Sequence, residues 1–539
     1  KLEILKDPFT LKNMNVAVRR MITAFQQQQK IAVYGDFDLD GTCGLVLLTE
    51  GFRQLGFQNV TPVQPRRLKE GYGFHQSLAQ ELVDLGVQVI VTVDVGITAV
   101  ETVEWLNQQG VDVILTDHHL PGPELPKAFA IVNPNQGGCP SELGYLSGSG
   151  VGLYLLRALK SAFVHELGQR SDCLHLKSLL DLFAIATISD MVPIRGDNWL
   201  LVKLGLLELG KTQRPALQIL LNRLQLYGLT LTAEDVGMKI GPKLNALTRL
   251  DGEVRAQDLL WRASRSGEEE LVRTALAANE SRRDLQQLAI DIVKDQVLPE
   301  TKVICLQSAE FHKGVIGLVA QHLVKTHGLP AFIGSLIDGK VVGSARAPED
   351  MSFHLVEVMA EATEWLERFG GHEKAAGFEL KVEHWPLFVA KLEEIAARPV
   401  TESAEKISHV DLLLSSQREV SEFFEWFPRL TPFGKEFESP VVAIPASLIR
   451  WQELKGKHLQ MRFGVTGLRG IHFSASAEER QMASEGRGYV IGTLSYNHYL
   501  QQSTLQFKGK AVVDSIGEME MTEEPLPFAN SVSRCLAKF

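Results

Sequence analysis

Three aspartates at alternate positions, Asp36, Asp38 and Asp40, follow the apolar run IAVYG and lead into Gly41 in the segment GDFDLDG. Like charges this close repel one another unless a cation lies between them. Three devices use such spacing, and the flanking residues separate them. A calcium loop follows a helix and carries a bidentate Glu at its twelfth position, but here a strand-like run precedes and Leu47 holds that place. A phosphatase with an aspartyl nucleophile has Thr or Val where this chain has Asp40. A divalent-metal cluster remains, since ligand-binding residues of open α/β sheets gather at the carboxyl ends of parallel strands. The bland alternative is a solvated acidic turn, with Gly41 permitting the bend.

Two further apolar runs end in the same chemistry. VTVDVG places Asp94 at a strand terminus, and VILTDHH places Asp117, His118 and His119 at the next. Hard oxygen and imidazole ligands converging from neighbouring termini suit Mg²⁺ or Mn²⁺. Singly, a strand-end Asp more often caps a turn and a His pair is commonly structural; together they constrain one another. Asp190, in ATISDMVP, closes a helix rich in small and apolar residues, where an ionised side chain needs a partner. A set of this size suits two metal ions about 3.5 to 4 Å apart, which activate a water and stabilise the leaving oxygen in phosphoester hydrolysis.

Such side chains need a scaffold. From residue 30 to about 135, β-rich runs (IAVYG, VIVTVD, VDVILTD) alternate with helical patterns, the rhythm of parallel βαβ units. Helical periodicity dominates from about 149 to 265 and predicts helices covering that sheet. Gly267 to about Leu298 carries acidic residues early and no internal Gly or Pro, which predicts a long connecting helix. Alternation from 303 to about 398 predicts a second α/β domain, with a boundary near 399 to 406. Beyond it, VVAIPASLI, HLQMRFGV, GYVIGTLSY and STLQFKGKAVVD predict mainly short strands in a small barrel. The expected divisions are 1–266, 267–298, 299–400, 401–520 and a tail at 521–539.

At 539 residues and 45% hydrophobic, the chain can bury several cores. Its net charge of -10 excludes a global positive field for collecting nucleic acid, so a polyanion must meet a local basic patch or a metal. Five cysteines without a CxxC pair argue against a disulfide framework and a zinc knuckle. No apolar run approaches the roughly 18 residues needed to span a bilayer, and the start lacks a signal pattern, so no membrane association and a reduced, cytoplasmic setting are expected. The chain begins at Lys1 rather than Met, which leaves room for residues before it.

Between 445 and 513, nine basic residues (Arg450, Lys455, Lys457, Arg462, Arg469, Arg480, Arg487, Lys508 and Lys510) face four acidic ones. Phe463, Phe473, Tyr489, Tyr496, Tyr499 and Phe507 are interleaved with them, a composition suited to stacking single strands. Most of those aromatics serve a barrel core equally well, so one or two are expected to meet bases.

The order and approximate spacing of DFDLDG, VDVG, DHH and ISDMVP resemble the DHH phosphoesterase family. RLKEGYG, IGPKLNALTRLD, FHKGVIGLVA, GSARA and GGHEKAAG narrow the likeness to those members that degrade single-stranded DNA from its 5′ end. The resemblance covers about residues 30 to 515. It implies an α/β fold: a DHH-type parallel-sheet domain, a long helix, a DHH-associated α/β domain and a C-terminal OB fold. It also implies two Mn²⁺ or Mg²⁺ ions on Asp36, Asp38, Asp40, Asp94, His118 and Asp190, with His119 and Asp117 as catalytic residues. Arg67, Arg249, Ser344, Arg346 and His372 fall in segments that surround the 5′ end, where guanidinium forks suit a terminal phosphate.

The first motif has Phe37 and Leu39 where this family often has Tyr and Ala, and ALTRLD replaces AAGRLD; neither change touches an expected ligand. The implied activity is 5′→3′ hydrolysis of single-stranded DNA to 5′-mononucleotides in DNA repair and recombination, by a bacterial cytoplasmic monomer. Single-strand-binding protein and a RecQ-type helicase are the implied partners. The enzymatic alternative is a DHH phosphodiesterase acting on short oligonucleotides or cyclic dinucleotides, whose usual chain lacks the basic β-rich C-terminal segment. A non-catalytic nucleic-acid-binding relative would have lost motif carboxylates that are present here.

Overall fold

The computed structural model describes residues 4–516 apart from positions 171, 251, 265, 295, 299, 350, 399–408, 465–466 and 500–501. The expected boundary near 399 to 406 and the tail at 521–539 lie outside the described residues.

Strands β1 (Ile31–Gly35), β2 (Val60–Val63), β3 (Val89–Val93), β4 (Asp112–Thr116) and β5 (Ala130–Val132) form an all-parallel sheet in the order β2-β1-β3-β4-β5. The helices around it are α1 (Met14–Gln26), α2 (Leu39–Gln54), α3 (Gln76–Asp84), α4 (Val100–Gln108), α5 (Gly148–His165) and α6 (Leu180–Ser189). Successive strand side chains point to opposite faces, and the two sets enter different cores. Ile31, Val33, Val89 and Val91 pack with α1, α2, α5 and α6. Ala32, Tyr34, Ile90 and Val113 pack with α3 and α4. This double burial explains why these strands are continuous apolar runs rather than polar–apolar alternations, each large side chain contributing about 1.5–3 kcal/mol.

Behind the sheet, fully buried Arg214 bonds Asp181 of α6 at 2.9 Å and Glu50 of α2 at 3.1 Å, tying together the two helices that carry Asp190 and Asp40 at their far ends. The long helix, Glu268–Val293, opens with three glutamates that complement its N-terminal dipole. It leads to a second sheet, ordered β6 (Ile304–Ser308), β7 (Ala331–Ile337), β8 (Lys340–Arg346), β10 (Ala375–Lys381) and β9 (Arg368–Gly371), in which only β6 and β7 are parallel. β7 and β8 turn on Asp338 and Gly339, both with positive φ, as a tight hairpin requires.

The third sheet has seven strands: β11 (Leu412–Leu413), β12 (Val442–Pro445), β13 (Ile449–Leu454), β14 (His458–Phe463), β15 (Arg469–His472), β16 (Tyr489–Tyr499) and β17 (Gln502–Val513). Helix Gln417–Leu430 packs Val420, Phe423, Phe424 and Phe427 onto it, an element the strand-dominated reading of this region did not include. The β16–β17 hairpin reaches the first domain, where His498 Nε2 meets Asp235 at 2.8 Å with both side chains buried. Cys43, Cys139, Cys173 and Cys305 are free thiols. Among the described residues, no helix is long and apolar enough to cross a membrane.

Candidate active site

The sheet order reverses between β1 and β3, opening the crevice in which α/β sheets bind ligands. Asp36 follows β1, Asp94 follows β3 and Asp117 follows β4, so three neighbouring strands deliver the expected carboxylates to one edge. The bend expected at Gly41 is the first turn of α2 instead: Asp38 is its N-cap and accepts from Gly41 N at 3.0 Å. Gly41 is needed for close approach, since a Cβ there would lie 2.5 Å from the backbone nitrogen of Asp36. The carboxylate of Asp40 accepts from Gly148 N at 2.6 Å and Ser149 N at 3.0 Å, at the start of α5. A Cβ on Gly148 would sit 2.4 Å from that of Asp94, whose own backbone is left-handed at φ 64.

His118 stands at the centre, with Nε2 3.1 Å from Asp94, 3.6 Å from Asp190 and 4.0 Å from Asp40. Ligand atoms gather in three overlapping sets: Asp36, Asp38 and Asp94; Asp40, His118 and Asp190; and Asp94, His118 and His119. Asp36 Oδ1, Asp94 Oδ1, His118 Nε2 and Asp190 Oδ2 are buried without a hydrogen-bond partner. Four orphaned acceptors aimed into one space are costly unless a cation satisfies them, and an oxygen-rich donor set with one or two imidazoles fits Mg²⁺ or Mn²⁺. Burial, reinforced by the neighbouring carboxylates, pushes Asp36 and Asp94 well above the usual carboxylate range and Asp190 up to about 9. Burial likewise holds His118 below the ordinary imidazole range, where the neutral ring can ligate.

Asp117, grouped with His119 as catalytic from the sequence, lies fully buried beneath it. Its Oδ1 accepts from His118 N (2.7 Å) and His119 N (3.1 Å) and pairs with His119 Nδ1 (2.8 Å), while Oδ2 accepts from Ile97 N (2.9 Å). Against the opposing pull of burial, these bonds keep Asp117 below the usual carboxylate range and raise His119 to about 9. Asp117 therefore orients His119. Asn133 and Asn135 donate to the backbone oxygens of His119 and His118 at 2.9 and 2.5 Å, fixing the loop from behind. The ring of Tyr72 stands edge-on to His119 at 5.6 Å. None of these three was singled out from sequence, although Tyr72 lies within RLKEGYG and the asparagines follow the third motif in VNPN.

The expected 5′-end residues also assemble, at the seam with the second domain. Arg249 donates to Gly314 O at 3.2 Å, and Arg346 donates to Ser344 Oγ at 3.0 Å. Arg67 lies over the Phe37 ring at 5.0 Å. Burial, then repulsion from Arg67, Arg282 and Arg346, lowers Arg249 to about 9. Burial lowers Arg346 as well, with Arg67 adding to it. Guanidiniums that depress one another need an anion. Arg282 on the long helix joins them, held by Asn279 and Gln286 at 3.0 Å each; the helical periodicity that located the helix says nothing of this role. Burial, then repulsion from His119, holds His372 below its ordinary range.

In the third sheet, Phe463 and Phe507 are core, Phe473 is exposed, and Tyr489 and Tyr496 are half-buried. Register pairs Arg450 with Arg462 and Arg462 with Arg469, a row of exposed arginines abreast across β13, β14 and β15. Like charges opposite one another destabilise a sheet, and among the described residues no acidic side chain is recorded against them. Replacing all three with alanine should weaken single-strand binding. It should also flatten the slope of log affinity against log salt by about 2, at about 0.7 per lost phosphate contact. Binding titrations at several salt concentrations give that slope, and an unchanged slope would place the strand elsewhere.

A carboxylate–histidine cluster at the switch point of a parallel sheet, facing arginines across a domain seam, defines a phosphoesterase of the DHH class. Residues 30–187 match the DHH family N-terminal domain, 300–398 the DHHA1 domain and 410–511 the RecJ OB domain. The chain is 31% identical over 496 residues to the single-stranded-DNA-specific exonuclease RecJ of Escherichia coli, covering 86% of this chain and 84% of that one. The Bacillus subtilis RecJ is 33% identical over 506 residues, and this chain spans 62% of its length. A crystal structure of RecJ in complex with Mn²⁺ from Thermus thermophilus superposes with a TM-score of 0.76 at 27% identity, covering 97% of this chain and 76% of that one. The chain belongs to the RecJ family of single-stranded-DNA-specific exonucleases.

Proposed function

We propose that this chain hydrolyses single-stranded DNA from its 5′ end to 5′-mononucleotides, using two Mn²⁺ or Mg²⁺ ions, in DNA repair and recombination. The observation that carries the proposal is the pairing of two sites: orphaned buried ligand atoms of Asp36, Asp94, His118 and Asp190 beside mutually repelling arginines. Asp36, Asp38, Asp40, Asp94, His118 and Asp190 are the residues that would hold the ions, with Asp94 shared between sets. Bound there, divalent ions supply an activated water and a counter-charge at the departing oxygen. Arg67, Arg249, Ser344 and Arg346 bind the terminal phosphate, and His372 lines the same seam. Anchoring the end in this way sets which linkage reacts, and so sets polarity. His119, with Nδ1 held by Asp117, keeps its other ring nitrogen available to hold a proton near the leaving oxygen.

The third sheet, with its arginine row, holds the trailing strand. On this reading the chain works as a cytoplasmic monomer supplied with single strands by a helicase of the RecQ type and by single-strand-binding protein. The alternative of short oligonucleotides or cyclic dinucleotides leaves that row without a purpose.

Wild type should degrade 5′-phosphorylated strands at least about tenfold faster than 5′-hydroxyl strands, and Arg249→Ala should lose about 10- to 100-fold on the former. Equal rates on both ends, or attack on closed single-stranded circles, would overturn the 5′ assignment.

A further inference from the structure

Asp190 is followed by Met191, an exposed side chain (68%) on a backbone with φ 55, a conformation that non-glycine residues seldom adopt. Met238, 70% exposed and in the π-helix Val236–Ile240, lines the same cavity as Met191. Single π-turns are uncommon and cluster at functional sites. The cavity measures about 510 Å³, within the roughly 300–1,000 Å³ of small-ligand pockets. Its apolar wall includes Met191, Met238 and Phe433, and its polar wall includes Asn245, Arg249 and Arg282. Thus two exposed thioethers, each on an unusual backbone, line a cavity that contains the residues on either side of the candidate ligand Asp190 and shares Arg249 with the anion site.

We propose that Met191 and Met238 clamp the nucleobase of the nucleotide whose phosphate is at the metal centre; this rests on the hydrolase reading above. The cationic wall selects a phosphate-bearing occupant, and the thioether pair selects a flat aromatic one. Sulfur is polarisable and the unbranched side chain adapts its shape, so contact with a ring is favourable whatever hydrogen-bonding edge it carries. The clamp therefore grips all four bases alike while rejecting a base still paired and stacked in a duplex. Both methionines are positioning residues: they orient the nucleotide and touch no expected ligand ion.

The test uses two 5′-phosphorylated oligonucleotides, one normal and one with abasic residues at its first two positions. Equilibrium binding is measured by fluorescence anisotropy with Ca²⁺ in place of Mn²⁺, alongside kcat/KM in Mn²⁺. Wild type should favour the normal strand about tenfold, the scale of one base contact. In the double variant Met191→Gly/Met238→Ala this preference should fall below about twofold, and Met191→Leu/Met238→Leu should restore part of it. Met238→Ala alone, which leaves the strained backbone untouched, should show an intermediate ratio. A wild type indifferent to the abasic residues, or a double variant that keeps the full preference, overturns the clamp. Absence of Mn²⁺-dependent hydrolysis with the binding preference intact would refute the hydrolase reading while supporting the clamp.

Discussion

Asp94→Asn is expected to abolish strand hydrolysis, by at least about 10³-fold in kcat, while stabilising the metal-free protein at alkaline pH. Asp94 belongs to two of the three ligand sets, joining Asp36 and Asp38 to His118 and His119, and lies 3.1 Å from His118, so no neighbour can replace its charge. The stability effect runs the other way. Burial and the surrounding carboxylates raise Asp94 well above the usual range and Asp190 to about 9, so the metal-free folded state holds protons that the unfolded chain has released. Stability of the metal-free protein must then fall as pH rises from the ordinary carboxylate range towards about 9. Removing the Asp94 charge relieves that loss. In EDTA at pH 8 the variant should melt about 3 °C or more above wild type, whereas saturating Mn²⁺ should raise wild type alone. Melting curves with and without metal at pH 6 and 8 check both signs. A variant less stable than wild type in EDTA at pH 8 would mean that Asp94 is a structural residue.

The second large effect is expected from Asp117→Asn. That buried carboxylate takes part in four hydrogen bonds, three of them at Oδ1 with the two histidine residues and one at Oδ2 with Ile97 N. An amide presents two donors where the protein presents N–H groups, so the His119 ring loses both its orientation and the charge that keeps it protonated. Activity should fall about 10²- to 10⁴-fold, as when an orienting carboxylate behind a catalytic histidine becomes an amide. The readout that separates orientation from collapse is the pH profile. Loss of the Asp117 charge lowers the His119 pKa, so the alkaline limb of the rate profile should move to lower pH, with Mn²⁺ affinity changing far less. A variant with an unshifted profile and weakened metal binding would make Asp117 a support of the ions.

Much of this site was readable from residue type and spacing because strand ends are where hydrophobic runs stop. The runs IAVYG, VIVTVD and VDVILTD place β1, β3 and β4, and with them Asp36, Asp94 and Asp117, since strands buried on both faces leave an unbroken apolar signature. What spacing could not convey was the local path. Asp38 and Asp40 at alternate positions resemble a turn, yet Asp38 caps α2 and Asp40 belongs to its first turn, because Gly41 lets the helix rest against the Asp36 backbone.

Residues whose role depends on tertiary approach were illegible. Arg282 meets Arg249 only because the long helix lies along the seam, and Met191 acquires meaning only from the cavity it faces. Helix Gln417–Leu430 is a different kind of omission. Val420, Phe423, Phe424 and Phe427 have helical spacing in plain view, and the helix lies just before the strand-like runs that begin at 441.

The most direct test is digestion of a long 5′-phosphorylated single strand, the matching blunt duplex and a set of short oligonucleotides in Mn²⁺, comparing wild type with Asp38→Ala. The wild-type enzyme should release 5′-mononucleotides progressively from the 5′ end of the long strand and leave the duplex intact, and Asp38→Ala should release none. Preference for the short oligonucleotides, efficient attack on the duplex, or activity that survives Asp38→Ala would contradict the assignment.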